Sequence, residues 1–149
     1  MTVDLAEAMN AAAGGWNTAM GLRFVHANGD EVVAELEIGP AHLQPHGIVH
    51  GGVYAGVVEA VASVGAALSA VGRGQTAVGL ENHTSFLHAV RSGTLRAVAR
   101  PLTRGRRTQV WEATITDASG TIAATGRVRL LCLEADFDLA GQKVTSGLR

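Results

Sequence analysis

Residues 51–71 read GGVYAGVVEAVASVGAALSAV, and Glu59 is the one charged side chain among them. A run of about 20 apolar residues is long enough to span a bilayer. A carboxylate in the middle of the run and several glycines favour instead a helix buried in protein. Larger apolar side chains recur every three or four residues, which predicts one face packed on a sheet. These residues are Val53, Val57, Val61, Val64 and Leu68.

Strand patterns lie on both sides of this helix. Before it, residues 22–25 and 32–38 flank Asn28-Gly29-Asp30, a strong hairpin turn signal. After it, four more strands are predicted in meander order, over residues 76–87, 94–102, 108–116 and 121–133. One long helix among about six antiparallel strands predicts an α+β fold in which the sheet wraps around the helix and buries it.

The two ends of the chain differ in pattern. Residues 4–13 predict a short helix, with Asp4 as its N-cap and Gly14-Gly15 at its end. Residues 134–149 mix charge with Gly, Ser and Thr and show no periodicity, so we expect a flexible C-terminal tail. A length of 149 residues and a hydrophobic content of 47% fit a single domain, which we assign to residues 1–133.

Composition argues against several classes of function. A net charge of −1 provides no broad basic field, so neither nucleic acid nor a membrane surface is expected as a partner. The single cysteine, Cys132, cannot form an internal disulfide and lies in an apolar run, which favours a buried thiol in a reducing compartment. The first residues lack a basic segment followed by an apolar one, so a secretory signal is not supported. A cytoplasmic location is expected.

Small residues surround Glu59 on its side of the helix, and they are Gly52, Ala55, Gly56, Ala62, Ser63 and Ala66. Such neighbours leave space for a ligand or for another backbone. A lone carboxylate on an apolar helix loses hydration unless partners compensate, and such residues are disproportionately functional. The alternative is a structural ion pair between Glu59 and an arginine at a subunit interface. The spacing alone does not decide between the two.

The start of the helix has a pattern of its own. His50-Gly51-Gly52 follows a loop rich in turn formers and would present unpaired backbone N–H groups at the positive end of the helix dipole. Glycines let a substrate carbonyl approach these donors, which can stabilise negative charge developing on a carbonyl oxygen. Glu59 lies about 12 Å further along the helix. One substrate would meet both groups more easily in a site shared between two chains.

Residues 44–54 read QPHGIVHGGVY and are followed by Glu59 and Ser63. This segment resembles the active-site segment of hotdog-fold thioesterases, and it is most similar to the PaaI-like and Arthrobacter-type 4-hydroxybenzoyl-CoA thioesterases. The similarity covers most of residues 16–133, including residues 79–82, 86–87, 90–93 and 105–111. The resemblance implies a hotdog fold and an acyl-CoA thioesterase acting on an aryl or medium-chain acyl group. It implies no cofactor beyond the coenzyme A of the substrate.

The resemblance also implies roles for individual residues. The Gly51 amide would polarise the thioester carbonyl, while Glu59 of the partner subunit would act as nucleophile or general base. Gln44 would assist at the carbonyl, and His50 would order the loop or the thiol leaving group. Ser63, one helical turn after the carboxylate, would position water or the carboxylate itself.

The phosphates of CoA require basic donors, and residues 104–108 read RGRRT in a predicted turn. The alternative for this turn is a solvated hairpin. By resemblance, His88 and Arg107-Thr108 lie near the nucleotide end of the substrate, although His88 stands where relatives can carry an arginine. The full predicted set of substrate and CoA contacts is Gly52, Asn82, His88, Gly105, Arg107 and Thr108.

Other functions fit parts of the pattern. His42, His46 and His50 recur every four residues, but a proline and a glycine between them break any helix that would align them, so no metal is expected. A non-catalytic hotdog module that binds acyl-CoA and a hotdog enoyl-CoA hydratase or dehydratase are the functional alternatives. The nine-residue step from His50 to Glu59 matches the thioesterase pattern better.

A homo-oligomer is expected on two grounds. The edge strand of one curved sheet needs cover, and the family that the chain resembles builds its sites between subunits. The resemblance favours a tetramer of two dimers over a simple dimer.

Overall fold

The computed structural model describes residues 2–145, so residues 146–149 of the predicted tail lie outside the described part of the chain. The described elements are α1 (Ala6–Ala12), α2 (Gly15–Met20), β1 (Arg23–Ala27), β2 (Val32–Glu37), α3 (Gly51–Val71), β3 (Gln75–Phe86), β4 (Thr94–Arg104), β5 (Thr108–Thr116), β6 (Ile122–Glu134), β7 (Asp138–Leu139) and β8 (Gln142–Lys143). The predicted long helix and the six predicted strands are confirmed, with small shifts at their ends.

The six long strands form one antiparallel sheet in the order β1-β2-β4-β5-β6-β3. The predicted meander is right for β4, β5 and β6 but wrong for β3, which pairs with β6 at the far edge. Residues 87–93 are therefore a crossover that passes the start of α3, where Val49 N donates to Val90 O over 2.8 Å. The crossover returns β4 to β2. Turn signals are local and do not reveal a distant strand partner, which explains the error.

Helix α3 packs on the sheet through its predicted apolar face, and that prediction is confirmed for Val53, Val57, Val61 and Leu68, with Val64 half-buried. Ala62 and Ala66, two of the small residues predicted beside the carboxylate, are fully buried. The sheet reaches further around this part of the helix than the spacing indicates. Gln109 Nε2 donates to Ala66 O over 3.1 Å, and the ring of Trp111 lies over Gly65.

Among the described residues, α3 is the one helix long and apolar enough to span a bilayer. Most of its residues are buried against the protein itself, including Val57, Val58 and Val61. Burial of each fully covered side chain of this size contributes about 1.5–3 kcal/mol, which offsets the entropy lost on ordering the helix. The prediction of a core helix is confirmed.

Two short helices precede the sheet. Helix α1 spans Ala6–Ala12 with Leu5 at its N-cap, so the predicted N-cap at Asp4 was wrong by one residue, and Gly15 begins α2. Asp4 Oδ1 nevertheless accepts from Ala27 N over 2.9 Å and from Ala6 N over 3.0 Å. These two amides, Ala27 first, lower the pKa of Asp4 to about 2. Helix α2 was not predicted, because six residues that begin at a glycine show too little periodicity. It carries Trp16 to the side of α3.

The end of the described chain forms a small hairpin of β7 and β8, and Ala135 N ties it to Gly74 O over 2.9 Å. Strand β6 runs to Glu134, just past the expected end of the domain. The flexibility expected for residues 134–149 stays a prediction. Cys132 is buried on β6, as its apolar surroundings indicated.

Candidate active site

A pocket of about 320 Å³ opens at the N-terminus of α3. We call it the Gly51 pocket, and its wall includes Gln44, Val49, Gly51, Tyr54, Phe86 and His88. Gly51 is the first residue of the helix, so its amide has no acceptor within the helix. Among residues 2–145 this amide makes no hydrogen bond. A ligand in the pocket can therefore use the Gly51 N–H as a donor.

Two aromatic rings border this donor. A side chain at Gly51 would displace the Phe86 ring, because a Cβ there would lie 2.3 Å from Phe86 Cε2. The ring centroids of Phe86 and Tyr54 are 6.0 Å apart and the rings are tilted by 33°. The Tyr54 hydroxyl is buried and has no hydrogen-bond partner among the described residues. Burial, together with the negative charge of Asp117, raises the pKa of Tyr54.

His50 fixes the start of the helix. Its Nδ1 accepts from Gly52 N over 2.8 Å, so the proton of the neutral ring is on Nε2. The Gly52 amide is thereby occupied, and the Gly51 amide remains for a ligand. Gln44 Oε1 accepts from His46 N, which leaves the Gln44 side-chain NH₂ as a second donor in the wall of the pocket.

A second pocket, of about 390 Å³, contains Glu59 and is called the Glu59 pocket; its wall includes Trp16, Asn17, Gly56, Ser63 and Val64. Asn82 Nδ2 donates to Glu59 Oε2 over 3.1 Å, and Ser63 Oγ donates to Glu59 Oε1 over 3.3 Å. The Trp16 ring covers Gly56, where a Cβ would lie 2.3 Å from Trp16 Cζ2. Among the contacts described, the carboxylate is held by neutral donors and not by an arginine.

The two pockets share no lining residue. Gly51 and Glu59 are eight residues apart on α3, which corresponds to about 12 Å along the helix axis. A nucleophile or base must come within about 3–3.5 Å of the reacting atom. The spacing therefore favours a second chain as the source of the carboxylate that acts on a carbonyl bound at Gly51.

The other residues predicted to contact CoA lie at opposite ends of the sheet. His88 is in the Gly51 pocket, with Nε2 3.6 Å from Asp117 Oδ2. The turn before β5 contains Gly105 and Arg107, and Thr108 is the first residue of that strand. His88 lies near the other end of β5, because Asp117 follows the last residue of the strand. Strand β5 separates the two groups by about 26 Å. One chain does not bring the basic turn to the Gly51 pocket.

The three evenly spaced histidines do not converge. His42 is buried, and its ring bonds locally: Nδ1 accepts from Gly39 N over 2.8 Å, while Nε2 contacts Met20 O at 2.7 Å. His50 Nδ1 accepts a hydrogen bond from Gly52 N at the start of α3. Among residues 2–145, no group of three or more His, Cys, Asp or Glu side chains is placed to hold a metal ion.

Among the residues in the pocket walls, Trp16, Asn17 and Phe86 were given no role in the site by the sequence. Trp16 and Asn17 belong to the unpredicted α2, and Phe86 was placed only in a strand and in the family resemblance. The signal available for Trp16 was an isolated tryptophan directly after Gly14-Gly15, in a segment of small and polar residues. The role of Phe86 depends on its packing over the start of α3, which no local pattern reveals.

Comparison with known proteins agrees with the fold. The sequence model of the Thioesterase superfamily matches residues 46–124. The Mycobacterium tuberculosis protein Rv1847, whose name marks it provisionally as an esterase, is 42% identical over 122 residues, covering 80% of this chain and 87% of that protein. Its solved structure superposes with a TM-score of 0.79 at 41% identity, covering 80% of this chain and 97% of that one.

Two further relatives carry named activities. The 1,4-dihydroxy-2-naphthoyl-CoA hydrolase of Escherichia coli K12 is 33% identical over 123 residues, covering 82% of this chain and 90% of that protein. The structure of thioesterase HI1161 from Haemophilus influenzae has a TM-score of 0.82 at 27% identity, covering 90% of this chain and 93% of that one.

The fold and the matches define a hotdog thioesterase: one long helix packed on a six-stranded antiparallel sheet. The chain belongs to the thioesterase superfamily. The predicted enzyme class, an acyl-CoA thioesterase, is confirmed. The subfamily within hotdog thioesterases stays a prediction.

Proposed function

We propose that the protein hydrolyses acyl-CoA in a site formed by two copies of the chain, the Gly51 pocket of one and the Glu59 pocket of the other. Water adds to the thioester carbonyl, the carbon–sulfur bond breaks, and the products are a carboxylic acid and the CoA thiol. The observation that carries the proposal is the Gly51 amide without an acceptor, about 12 Å along one helix from a half-buried carboxylate.

The Gly51 pocket supplies the donors for the carbonyl oxygen. The Gly51 N–H lies at the positive end of α3 and, with the Gln44 side-chain NH₂, can hold the oxygen as negative charge develops on it. Removal of one such donor typically costs about 2.7–4 kcal/mol of transition-state stabilisation. Because His50 Nδ1 is already bonded, its Nε2–H is the donor it can offer to the leaving sulfur.

The Glu59 pocket supplies the attacking group. Glu59 acts either as the nucleophile, forming an acyl-enzyme that water then hydrolyses, or as the general base that takes a proton from the attacking water. Ser63 and Asn82 hold both carboxylate oxygens, which fixes their direction for either role.

The acyl group is proposed to be aryl or medium-chain aliphatic. The Glu59 pocket is walled by Trp16, and through Asn17 and Val64 it adjoins an apolar cavity of about 230 Å³. That cavity is lined by Met9, Phe24, Val64, Ala67, Leu68 and Val71. A cavity of this kind accepts apolar groups. The relative from E. coli named as a hydrolase of an aromatic acyl-CoA supports the same class.

The proposed site needs a second chain for two reasons. The first is the separation of Gly51 from Glu59 described above. The second is the basic turn at Arg107, which lies too far from the Gly51 pocket of its own chain to hold the phosphates of the same CoA. Strand β3 is an edge strand with Leu80 and Phe86 about half exposed, which offers a surface for a second copy. We propose a dimer, or a tetramer of two dimers, in the cytoplasm.

The test is thiol release from a panel of aryl, short-chain and medium-chain acyl-CoAs, followed with a disulfide indicator. We expect Glu59→Gln to lose at least about a hundredfold in kcat with an unchanged melting temperature. The matched control is Glu112→Gln, which removes a carboxylate paired with Arg127 on the outer face of the sheet and should keep activity.

Two results would replace the proposal. Binding of acyl-CoA without thiol release would identify a non-catalytic module. Hydration of an enoyl-CoA without thiol release would identify a hydratase. Full activity in Glu59→Gln would refute the assignment of the attacking group.

A further inference from the structure

Strand β3 contains an irregularity beside Glu59. It pairs with β6 through Gly79↔Leu130 and then Glu81↔Arg129, so Leu80 is an extra residue in the strand. In a regular strand, side chains three residues apart point to opposite faces. A bulge changes this parity and re-aims the side chains that follow it.

The extra residue directs a new set of side chains toward α3. Gly79, before the bulge, and Asn82, after it, both face the Glu59 carboxylate. Glu81 and His83 face the outer surface, where Glu81 Oε2 accepts from Arg129 Nη2 over 3.3 Å. Without the bulge, Glu81 would point at Glu59 and place two carboxylates together. The bulge therefore replaces a like charge with a neutral donor.

Gly79 provides the space for the carboxylate. A Cβ at this position would lie 2.2 Å from Glu59 Oε1, closer than any side chain could remain. The carboxylate is thus seated directly against the backbone of β3. Its position depends on the strand as well as on its own helix.

Asn82 and Thr84 form a chain of hydrogen bonds that ends on Glu59. Thr84 Oγ1 donates to Asn82 Oδ1 over 2.6 Å. Asn82 Nδ2 then donates to Glu59 Oε2 over 3.1 Å and to Ala55 O over 2.9 Å. The Thr84 hydroxyl occupies the amide oxygen, so it fixes which end of the Asn82 amide faces the carboxylate.

We propose that Asn82 and Thr84 are positioning residues of the hydrolase: the bulge at Leu80 aims them at α3, and they set the direction of the Glu59 carboxylate for attack. The inference rests on the proposed role of Glu59. It assigns to Asn82 a contact with the attacking group in place of the contact with CoA that the family resemblance implies. Thr84 acts through Asn82, because its hydroxyl bonds to the amide and not to Glu59.

The test removes each hydrogen bond of this chain with a substitution of similar shape. Thr84→Val deletes the hydroxyl and Thr84→Ser keeps it, while Asn82→Leu deletes the amide donor. We expect Thr84→Val and Asn82→Leu to lower kcat by about tenfold to a hundredfold with little change in KM. Thr84→Ser should keep kcat within about threefold of the wild type. The matched control is Ser85→Ala, a hydroxyl deletion on the outer face of the same strand, which should leave kcat unchanged.

A double variant separates positioning from general damage to the fold. In a Glu59→Gln background, Asn82→Leu should lower the residual rate by less than about twofold, because Asn82 acts only through the carboxylate. A further fall as large as in the wild-type background would show a structural role and overturn the inference. Unchanged kcat in both Thr84→Val and Asn82→Leu would also overturn it.

The failure of this inference differs from that of the proposed function. If Glu59→Gln is inactive while Thr84→Val and Asn82→Leu are fully active, the catalytic role of Glu59 stands and the positioning role is wrong. If Glu59→Gln is active, the proposed function itself fails. Circular dichroism and melting curves for each variant exclude unfolding as the cause of a loss.

Discussion

Mixing two inactive variants of this protein should restore its activity. Gln44→Ala damages the Gly51 pocket, and Glu59→Gln damages the Glu59 pocket. If each site takes one pocket from each chain, a mixed dimer has one site carrying both defects and one site carrying neither. Homodimers of either variant have a defect in both sites. Only the mixed dimer contains an intact site.

The size of the recovery follows from this arrangement. Random exchange of subunits at equal concentration makes half of the dimers mixed, and half of the sites in those dimers are intact, so about a quarter of wild-type activity should return. Each variant alone is expected to retain about one hundredth of the wild-type rate or less. The recovery should therefore exceed the average of the two parents by more than tenfold.

The assay is thiol release after the two variants are exchanged under mild denaturant, with native mass spectrometry to count mixed dimers. Two preparations of the same variant, treated in the same way, serve as the control. An activity equal to the average of the parents, with mixed dimers present, would refute the shared site. In that case both groups would have to act within one chain, in conflict with their separation along α3.

Three further predictions concern stability. Gly65→Ala should lower the free energy of unfolding in urea, because a Cβ would lie 2.3 Å from the buried Trp111 ring. The cost of overpacking, about 1–3 kcal/mol, outweighs the gain of about 1 kcal/mol in helix propensity. A more stable variant would contradict this packing. Tyr54→Phe should raise the melting temperature, because it removes a buried hydroxyl without a partner, and a clear fall would reveal a partner for that hydroxyl. Asp4→Asn should destabilise the protein above about pH 4 and converge with the wild type in stability near pH 2, because the folded-state pKa of Asp4, about 2, lies below its ordinary value of 3.8. A constant difference in stability down to pH 2 would exclude this linkage.

The sequence predicted the elements of the fold well because each has a strong local pattern. The apolar run of α3 and the alternating strands set their own bounds, and the turn at Asn28-Gly29 set the first hairpin. The position of β3 could not be predicted in the same way. Its partner is β6, and the paired residues lie between 38 (Phe86↔Ala124) and 59 (Gln75↔Glu134) positions apart, a separation that no local pattern in the sequence reveals.

The candidate site was predictable only in part. The segment that contains Gly51 and Glu59 was found because a charge in an apolar helix and glycines at its start are visible in sequence. The contact between Asn82 and Glu59 was not predicted, because it depends on one extra residue in a strand. Strict alternation from Gly79 places Glu81 toward the helix, whereas the bulge at Leu80 places Asn82 there.

In the proposed dimer, α3 contributes to two sites at once. Its first residue supplies the donor of one site, and Glu59, two turns later, supplies the carboxylate of the other. A shift or bend of the helix would therefore misplace both groups, and a misplacement of about 1 Å can cost a hundredfold in rate. Rigidity of α3 between Gly51 and Glu59 is then a requirement for catalysis as well as for stability. The burial of Val57 and Val58 in this interval and the capping of the helix by His50 supply that rigidity from the core and from the loop.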